Sequence, residues 1–329
     1  MSDTITFTQA YTQGLDEAMA ADDSVILLGE DIGDKEGGGV FKVTAGLSSK
    51  YGAHRVRTTP ISEQAIIGAA IGASLAGMRP VAEIMFMNFI TVAMDQIVNH
   101  AAKLRYMSGG LTSVPITIRT RTGAGTGNGG QHSDMLEAWF AHVPGIKVVV
   151  PSSPADAVGL LKACIADDDP CLFIEDGVTR TVKGAAPPAD HFIPLGKAHV
   201  EREGSDVSVI SYGRPLQDIR KIADEMSEQG VSVEVIDLRT ISPLDTETLV
   251  ASVRKTGRAV VVHEAVRSFG VGAEVVARIQ EHAFDALKAP VLRVASKDAT
   301  VPFARNLELD FLYQRSDIET AIKQTLEGK

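Results

Sequence analysis

Cysteine is almost missing from this chain. Cys164 and Cys171 are the only two in 329 residues, which excludes a disulfide scaffold, and their spacing matches no zinc motif, so both read as buried thiols in a reducing compartment. No apolar run reaches the length of a membrane span without a glycine or polar break, which leaves no membrane partner to expect. The start, Met1-Ser2-Asp3-Thr4, lacks the basic-then-apolar pattern of a signal peptide, so the expected location is the cytoplasm. Basic charge is in deficit, with 32 Lys and Arg against 42 Asp and Glu and a net charge of -10. No Lys/Arg cluster stands out to neutralise phosphates, which argues against nucleic acid and leaves a basic protein as a fitting partner. There is no P-loop, no H-E-x-x-H, and no Gly-Asp-Gly followed by Asn to hold a magnesium diphosphate.

What is present is a rhythm. The length suits two domains. Ser24–Gly29 reads as a buried parallel strand with Glu30 and Asp31 at its C-terminal end. After it come a glycine-rich loop at 34–39 and a short helix at 41–51. Strands at 81–85, 115–119, 146–150 and 171–175 then alternate with helices at 90–106, 133–142 and 154–167. Such alternation predicts an α/β fold, a parallel sheet covered by helices on both faces, with ligands at the C-terminal ends of the strands. Residues 179–194, with Ala185-Ala186-Pro187-Pro188 at their centre, break the pattern and read as a linker. The alternation resumes with strands at 206–211, 232–237, 259–263 and 290–294, and helices at 215–229, 245–255 and 270–282. Two parallel-sheet α/β domains are therefore expected, 1–185 and 186–329.

Four stretches carry residues suited to chemistry. Pro60 and Ser62 are helix-start residues, and Ala65 to Gly77 is apolar on every side and rich in Gly and Ala, which predicts a buried helix with Glu63 at its mouth. Glu63 is either a first-turn carboxylate favoured by the helix dipole or a carboxyl kept for hydrogen bonding to a cofactor. The segment Gly125 to Gly130 matches G-x-G-x-x-G by count and raises a nicotinamide-dependent dehydrogenase as an alternative, but the next strand ends in Pro151-Ser152 with no acidic residue for a ribose. The same loop delivers His132 to a helix start on the ligand edge, as a structural histidine or as an acid–base group. His132, Ser133 and Asp134 are consecutive and cannot converge as a hydrolytic triad. Phe86-Met87-Asn88-Phe89 after a strand is core filler or a platform for a flat heterocycle. His263-Glu264 sits at a second strand end, as a ligand-edge pair or an interface.

Thr59-Pro60-Ile61-Ser62-Glu63, Met85 to Phe89, Asp95-Gln96-Ile97, Tyr106-Met107-Ser108-Gly109-Gly110, Gln131-His132-Ser133, Pro144 to Val149 and Phe269 to Glu274 together resemble the β subunit of the thiamine-diphosphate-dependent E1 component of 2-oxo acid dehydrogenase or acetoin dehydrogenase complexes. The resemblance runs in register over nearly the whole chain. It implies a transketolase-like pyrimidine-binding domain followed by a transketolase C-terminal-like domain, in an α2β2 heterotetramer. It also implies an α subunit that holds Mg2+ and the diphosphate, so that this chain has half a site, and a lipoyl-bearing E2 acyltransferase that receives the acyl unit. An acidic second domain docking a basic E2 segment is the non-catalytic alternative.

By family match Glu63 is the carboxyl bonded to N1′ of the aminopyrimidine, which promotes the imino tautomer that takes the C2 proton. A buried carboxyl can supply such a hydrogen bond where an exposed one would be ionised and solvated. In the same way Phe89 stacks on the pyrimidine, Ile61 lies against the cofactor, and His132 is the histidine near the reacting carbon. Branched-chain members also bind a structural K+ at the segment matching Cys164, Asp167 and Asp169, with Asn where this chain has Asp169. Asp134 stands where Gln is usual and Thr58 where Asp is common. The loop Arg119 to Gly130 lacks the Pro-Asn-Gly of the pyruvate type and starts Arg-Thr-Arg-Thr-Gly-Ala-Gly, nearer to the acetoin type.

Overall fold

The computed structural model describes residues 4–188 and 190–328. The chain divides into two compact units, one made of the residues up to Thr122 together with Trp139–Leu195, the other of Gly123–Ala138 and the residues from Gly196 onward.

In the first unit β1 (Thr4–Thr6) leads into α1 (Phe7–Ala21), which starts at a capping box: Gln9 donates its backbone N–H to the Thr6 hydroxyl, and Thr6 donates its own to the Gln9 side chain. Then follow β2 (Val25–Gly29), α2 (Leu47–Tyr51), β3 (Val56–Thr58), α3 (Glu63–Leu75), β4 (Arg79–Ile84), α4 (Met87–Ile90), α5 (Leu104–Met107) and β5 (Thr117–Thr122). After the excursion 123–138, the short α6 (Glu137–Ala141) straddles the return to this unit, and β6 (Lys147–Val149), α7 (Pro154–Ala166), β7 (Cys171–Asp176) and β8 (Lys183–Ala185) complete it. Six strands run in the order β6-β7-β5-β4-β2-β3, every pair parallel. All residues of β2, β5 and β7 are buried, as strands covered on both faces must be. From β2 the chain steps outward to β3 and then returns to the other side of β2 as β4. The sheet thus switches direction between β2 and β4, where an open α/β sheet leaves its ligand crevice. Tyr11, Leu15 and Met19 of α1 pack with Val158, Leu161 and Ile165 of α7 over Phe173.

The second unit contains β9 (His199–Arg202), β10 (Val207–Ser211), α8 (Pro215–Glu228), β11 (Val233–Asp237), β12 (Thr240–Ser242), α9 (Thr246–Thr256), β13 (Ala259–Val266), α10 (Val271–Ala283), β14 (Leu292–Ser296), α11 (Arg305–Phe311) and α12 (Arg315–Leu326). Its five-stranded sheet has the order β14-β13-β10-β11-β9, parallel except for the antiparallel β9. Val207, Val209, Val235, Val260 and Val262 meet Leu216, Ile219 and Ile222 of α8 and Ile318 and Ile322 of α12 in one core.

Four expectations change. The helix after Glu63 is not enclosed on every side: Ile66, Ile67, Ala70, Ile71 and Ser74 are buried, while Gln64, Ala65, Ala69, Gly72 and Ala76 face solvent, because alanine and glycine carry too little relief to betray which side is covered. The single helix expected at 90–106 is a succession of α4, a 3-10 turn at Thr91–Ala93, a π turn at Gln96–Ala101 and α5. The helix expected from Ser133 starts only at Glu137. Residues 179–194 are no free linker, for β8 pairs with β1 and Ile193 enters the core of the first unit, its side chain against Gly159, where a Cβ would come within 2.7 Å.

Candidate active site

At the switch point of the first unit three carboxylates gather from different strand ends. Glu30 follows β2, Glu83 lies on β4, and Glu63 is the first residue of α3. Glu63 and Glu30 are each half-buried. Burial pushes the Glu30 carboxyl up from its ordinary range, and the negative charges of Glu63, Asp31 and Glu83 push it further. Glu63 is thus offered at a helix N-terminus on the ligand edge, half-exposed rather than enclosed. The Ser62 side chain makes no capping bond to that helix. Ile61 just before it is 83% exposed.

Behind these carboxylates lies a buried ionic network. Arg119 on β5 donates from Nη1 to Glu83 Oε2 at 2.8 Å and from Nε to Glu175 Oε1 of β7 at 2.7 Å. Arg119 is 3% exposed and Glu175 4%, so the guanidinium is what lets two acidic side chains stay near the sheet's interior. The aromatics form a rank beside it. The Arg121 guanidinium sits 3.7 Å from the centre of the Phe41 ring. Phe41 meets Phe86 edge-on at 5.6 Å, and Phe86 meets Phe89 at 5.6 Å. Phe89 ends the rank, half-buried, one turn after β4. Sequence reasoning marked Phe86 and Phe89 but missed Phe41, Glu83 and Arg119 as partners; for Glu83 and Arg119 the available signal was a charged residue inside a buried strand, and for Phe41 there was none.

His132 belongs to the second unit, in the loop 123–138. Its backbone N–H donates to Gly129 O at 3.2 Å. Upstream, the N–H groups of Gly125, Thr126 and Gly127 converge on the Glu308 carboxylate at 2.7, 3.2 and 3.0 Å. Ala124 N donates to Glu264 Oε1 at 2.9 Å. A phosphate on the G-x-G-x-x-G segment would need those amides, and a buried side chain holds them. The dinucleotide alternative fails on that ground. It also fails because no helix opens directly after the segment. The pair at His263-Glu264 resolves too: Glu264 anchors the loop, and His263 is enclosed beside Gly270 and Gly272, where added Cβ atoms would come within 2.7 and 2.6 Å of its ring. Burial pushes the His263 imidazole down to about 4. Further along the loop, Glu137 is fully buried and accepts a 2.6 Å hydrogen bond from the Tyr212 hydroxyl; burial pushes its carboxyl up to about 7.

The segment Cys164 to Asp169 carries its own cations. Lys147 Nζ lies 2.5 Å from Asp167 Oδ1 and 3.5 Å from Asp169 Oδ2, and Arg105 Nη1 lies 2.7 Å from Asp169 Oδ1. Cys164 and Cys171 are buried free thiols, and the Cys164 carbonyl accepts from Asp167 N at 3.3 Å. Among the described residues no group of three or more His, Cys, Asp or Glu is arranged to hold a metal ion. No helix among the described residues is long and apolar enough to cross a membrane.

The switch-point carboxylates, the aromatic rank and the second parallel sheet define a class, that of two-domain transketolase-type proteins. The family description "Transketolase, pyrimidine binding domain" matches residues 3–177, and "Transketolase, C-terminal domain" matches residues 196–318. A solved chain described as "Split gene transketolase, inactive beta4 tetramer" shares the fold with a TM-score of 0.80 at 23% identity, over 99% of each chain. Within that class the chain belongs to the family of pyruvate dehydrogenase E1 component β subunits. It is 44% identical over 324 residues to that subunit of Bacillus subtilis (98% of this chain, 99% of the relative) and 45% identical over 327 residues to the human mitochondrial one (98% and 90%). To the β-2 subunit of Oryza sativa, also mitochondrial, it is 45% identical over 324 residues (97% and 86%).

Proposed function

We propose that this chain is the β half of a thiamine-diphosphate-dependent E1 enzyme that decarboxylates a pyruvate-like 2-oxo acid and passes the acyl unit to lipoamide on an E2 acyltransferase. The observation that carries the reading is Glu63, a half-exposed carboxyl opening α3 at the switch point of the sheet, close enough to Glu30 to push the Glu30 carboxyl up. Thiamine diphosphate, when bound, supplies the carbon nucleophile and the electron sink of the decarboxylation. In this reading Glu63 holds the ring nitrogen of the aminopyrimidine, Phe89 and Ile61 hold its faces, and His132 moves a proton at the substrate. Glu30 and Glu83 place further negative charge at the same edge of the sheet. The Arg119 network fixes Glu83 and so the position of that charge.

Mg2+ and the diphosphate fall to an α subunit. The three convergent amides found in the second unit are closed to phosphate by Glu308. The test is turnover by this chain with and without an α partner, using thiamine diphosphate, Mg2+ and pyruvate. Activity only in the mixture supports the half-site; turnover by the isolated chain sinks it. A second reading, acetoin cleavage, rests on the loop beginning Arg119-Thr120-Arg121-Thr122-Gly123-Ala124-Gly125 without Pro-Asn-Gly. The same mixture given acetoin and a branched-chain 2-oxo acid as competing substrates decides it by kcat/KM.

A further inference from the structure

The loop that carries His132 is built around an internal anion. Four consecutive amides, Ala124 to Gly127, end on two buried carboxylates. Gly123, Gly125 and Gly127 have φ of 111°, 111° and 75°, in the left-handed region that turns successive N–H groups to one side. Such convergence is the geometry proteins use to seat a phosphate, and here the seat holds the Glu308 carboxylate. The carbonyl side of the same peptides is also held, since Arg305 Nη1 donates to Gly125 O at 2.7 Å and Arg214 Nη1 to Ala124 O at 2.6 Å. Gly129 and Gly130 then lie so close to Phe303 and Thr300 that added Cβ atoms would meet them at 2.6 and 2.5 Å. The stretch before His132 is therefore held to the segment 300–308 by three amides and by close packing at two glycines, and a buried carboxylate is a costly group to use merely as filling.

We infer that Glu308 is a positioning residue for His132: its carboxylate substitutes for a bound anion and sets the loop conformation in which His132 serves the reaction. The inference rests on the proposed role of His132. It makes the loop an element with a removable template. A negative charge of carboxylate size in the seat orders the loop fully, and a neutral group of the same size orders it less.

The experiment uses the enzyme assembled with its α partner. Glu308→Ala empties the seat. The expected result is a kcat lower by about 100-fold with the KM for the 2-oxo acid changed by less than about threefold. Fast hydrogen exchange at the amides of Gly125 to Gly127 should accompany it. Formate should restore both the protection of those amides and at least about a tenth of the lost rate, while formamide restores neither. Glu308→Gln, which keeps volume and one acceptor oxygen, should lose part of both and serves if the alanine variant does not assemble. Unchanged exchange in the variants overturns the inference. So does restored protection without restored rate, and so does a Glu308→Gln enzyme with wild-type kcat and wild-type protection. His132→Asn is measured alongside. If it turns over at the wild-type rate, the role of His132 falls and this inference with it. If it is inactive while the Glu308 variants keep full rate, this inference alone is overturned.

Discussion

Glu63 opens α3 with its side chain half in water, and little of the fold leans on it. Glu63→Gln should therefore leave melting and assembly with an α partner intact while lowering kcat by about 100-fold or more, the usual weight of a positioned acid–base group. Near-normal turnover would return Glu63 to the role of a first-turn carboxylate. Glu137 is the opposite case, a carboxyl with no access to water. Its pKa rises from 4.5 to about 7 because burial penalises the anion, and the Tyr212 hydroxyl offsets only part of that. The sign follows from linkage. Below 4.5 both folded and unfolded forms hold the proton; between 4.5 and about 7 only the folded form does, so stability falls as pH rises through this window. The full loss from this one group is about 3 kcal/mol. His263 acts in the other direction. Its pKa of about 4 against an ordinary 6.5 means that stability is lost as pH falls from the upper value to the lower. The two slopes nearly cancel in the wild type, so each shows only in a variant. Urea midpoints of Glu137→Gln and wild type, compared near about pH 5 and about pH 8, should differ by roughly 2 to 3 kcal/mol more in favour of the wild type at the lower pH. An equal difference at both would mean that Glu137 is already ionised in the fold.

At the scale of elements, α3 shows what a sequence pattern can and cannot say. Its existence and start are legible in Pro60, Ser62 and the apolar run. Its exposed face is not, since Ala65, Ala69, Gly72 and Ala76 are as apolar as the buried face. Gly72 has nothing within 4 Å of where a Cβ would stand. Gly72→Ala should then stabilise the isolated chain by about 1 kcal/mol through helix propensity alone, read as a higher urea midpoint; a lower midpoint would mean that the face is covered even in the isolated chain. The strands were legible for a plain reason: Val25-Ile26-Leu27-Leu28-Gly29 and Cys171-Leu172-Phe173-Ile174 are continuous apolar runs, as parallel buried strands require. Residues 87–107 were not, because side-chain spacing marks a covered face and says little about whether the backbone bonds run i+3, i+4 or i+5. The loop anchor was beyond reach altogether. Gly125 and Glu308 are 183 positions apart, and nothing local to either announces the other. The glycine spacing was visible, and it pointed to an anion, but the anion turned out to be part of the chain.

At the scale of the molecule the question is how a cofactor with two chemically different ends is held. In the proposed reading this chain offers carboxylates and aromatic rings, which suit an aminopyrimidine, and the one convergent set of amides described above is already closed by Glu308. With a net charge of -10, the chain has no general attraction for a diphosphate either. Binding of thiamine diphosphate by the isolated chain should therefore be weak and indifferent to the diphosphate. Calorimetric titration should give thiamine and thiamine diphosphate affinities within about tenfold of each other, because the contacts they share are the only ones available. Adding the α partner and Mg2+ should tighten thiamine diphosphate alone, by at least about 1000-fold, as the second chain supplies the missing end and the two contributions multiply within one site. Equal tightening of thiamine would place the pyrimidine contacts on the partner. Tight, Mg2+-dependent binding of thiamine diphosphate by this chain alone would mean that it holds the whole cofactor, and the division of labour proposed for Glu63 and its partner would have to be abandoned.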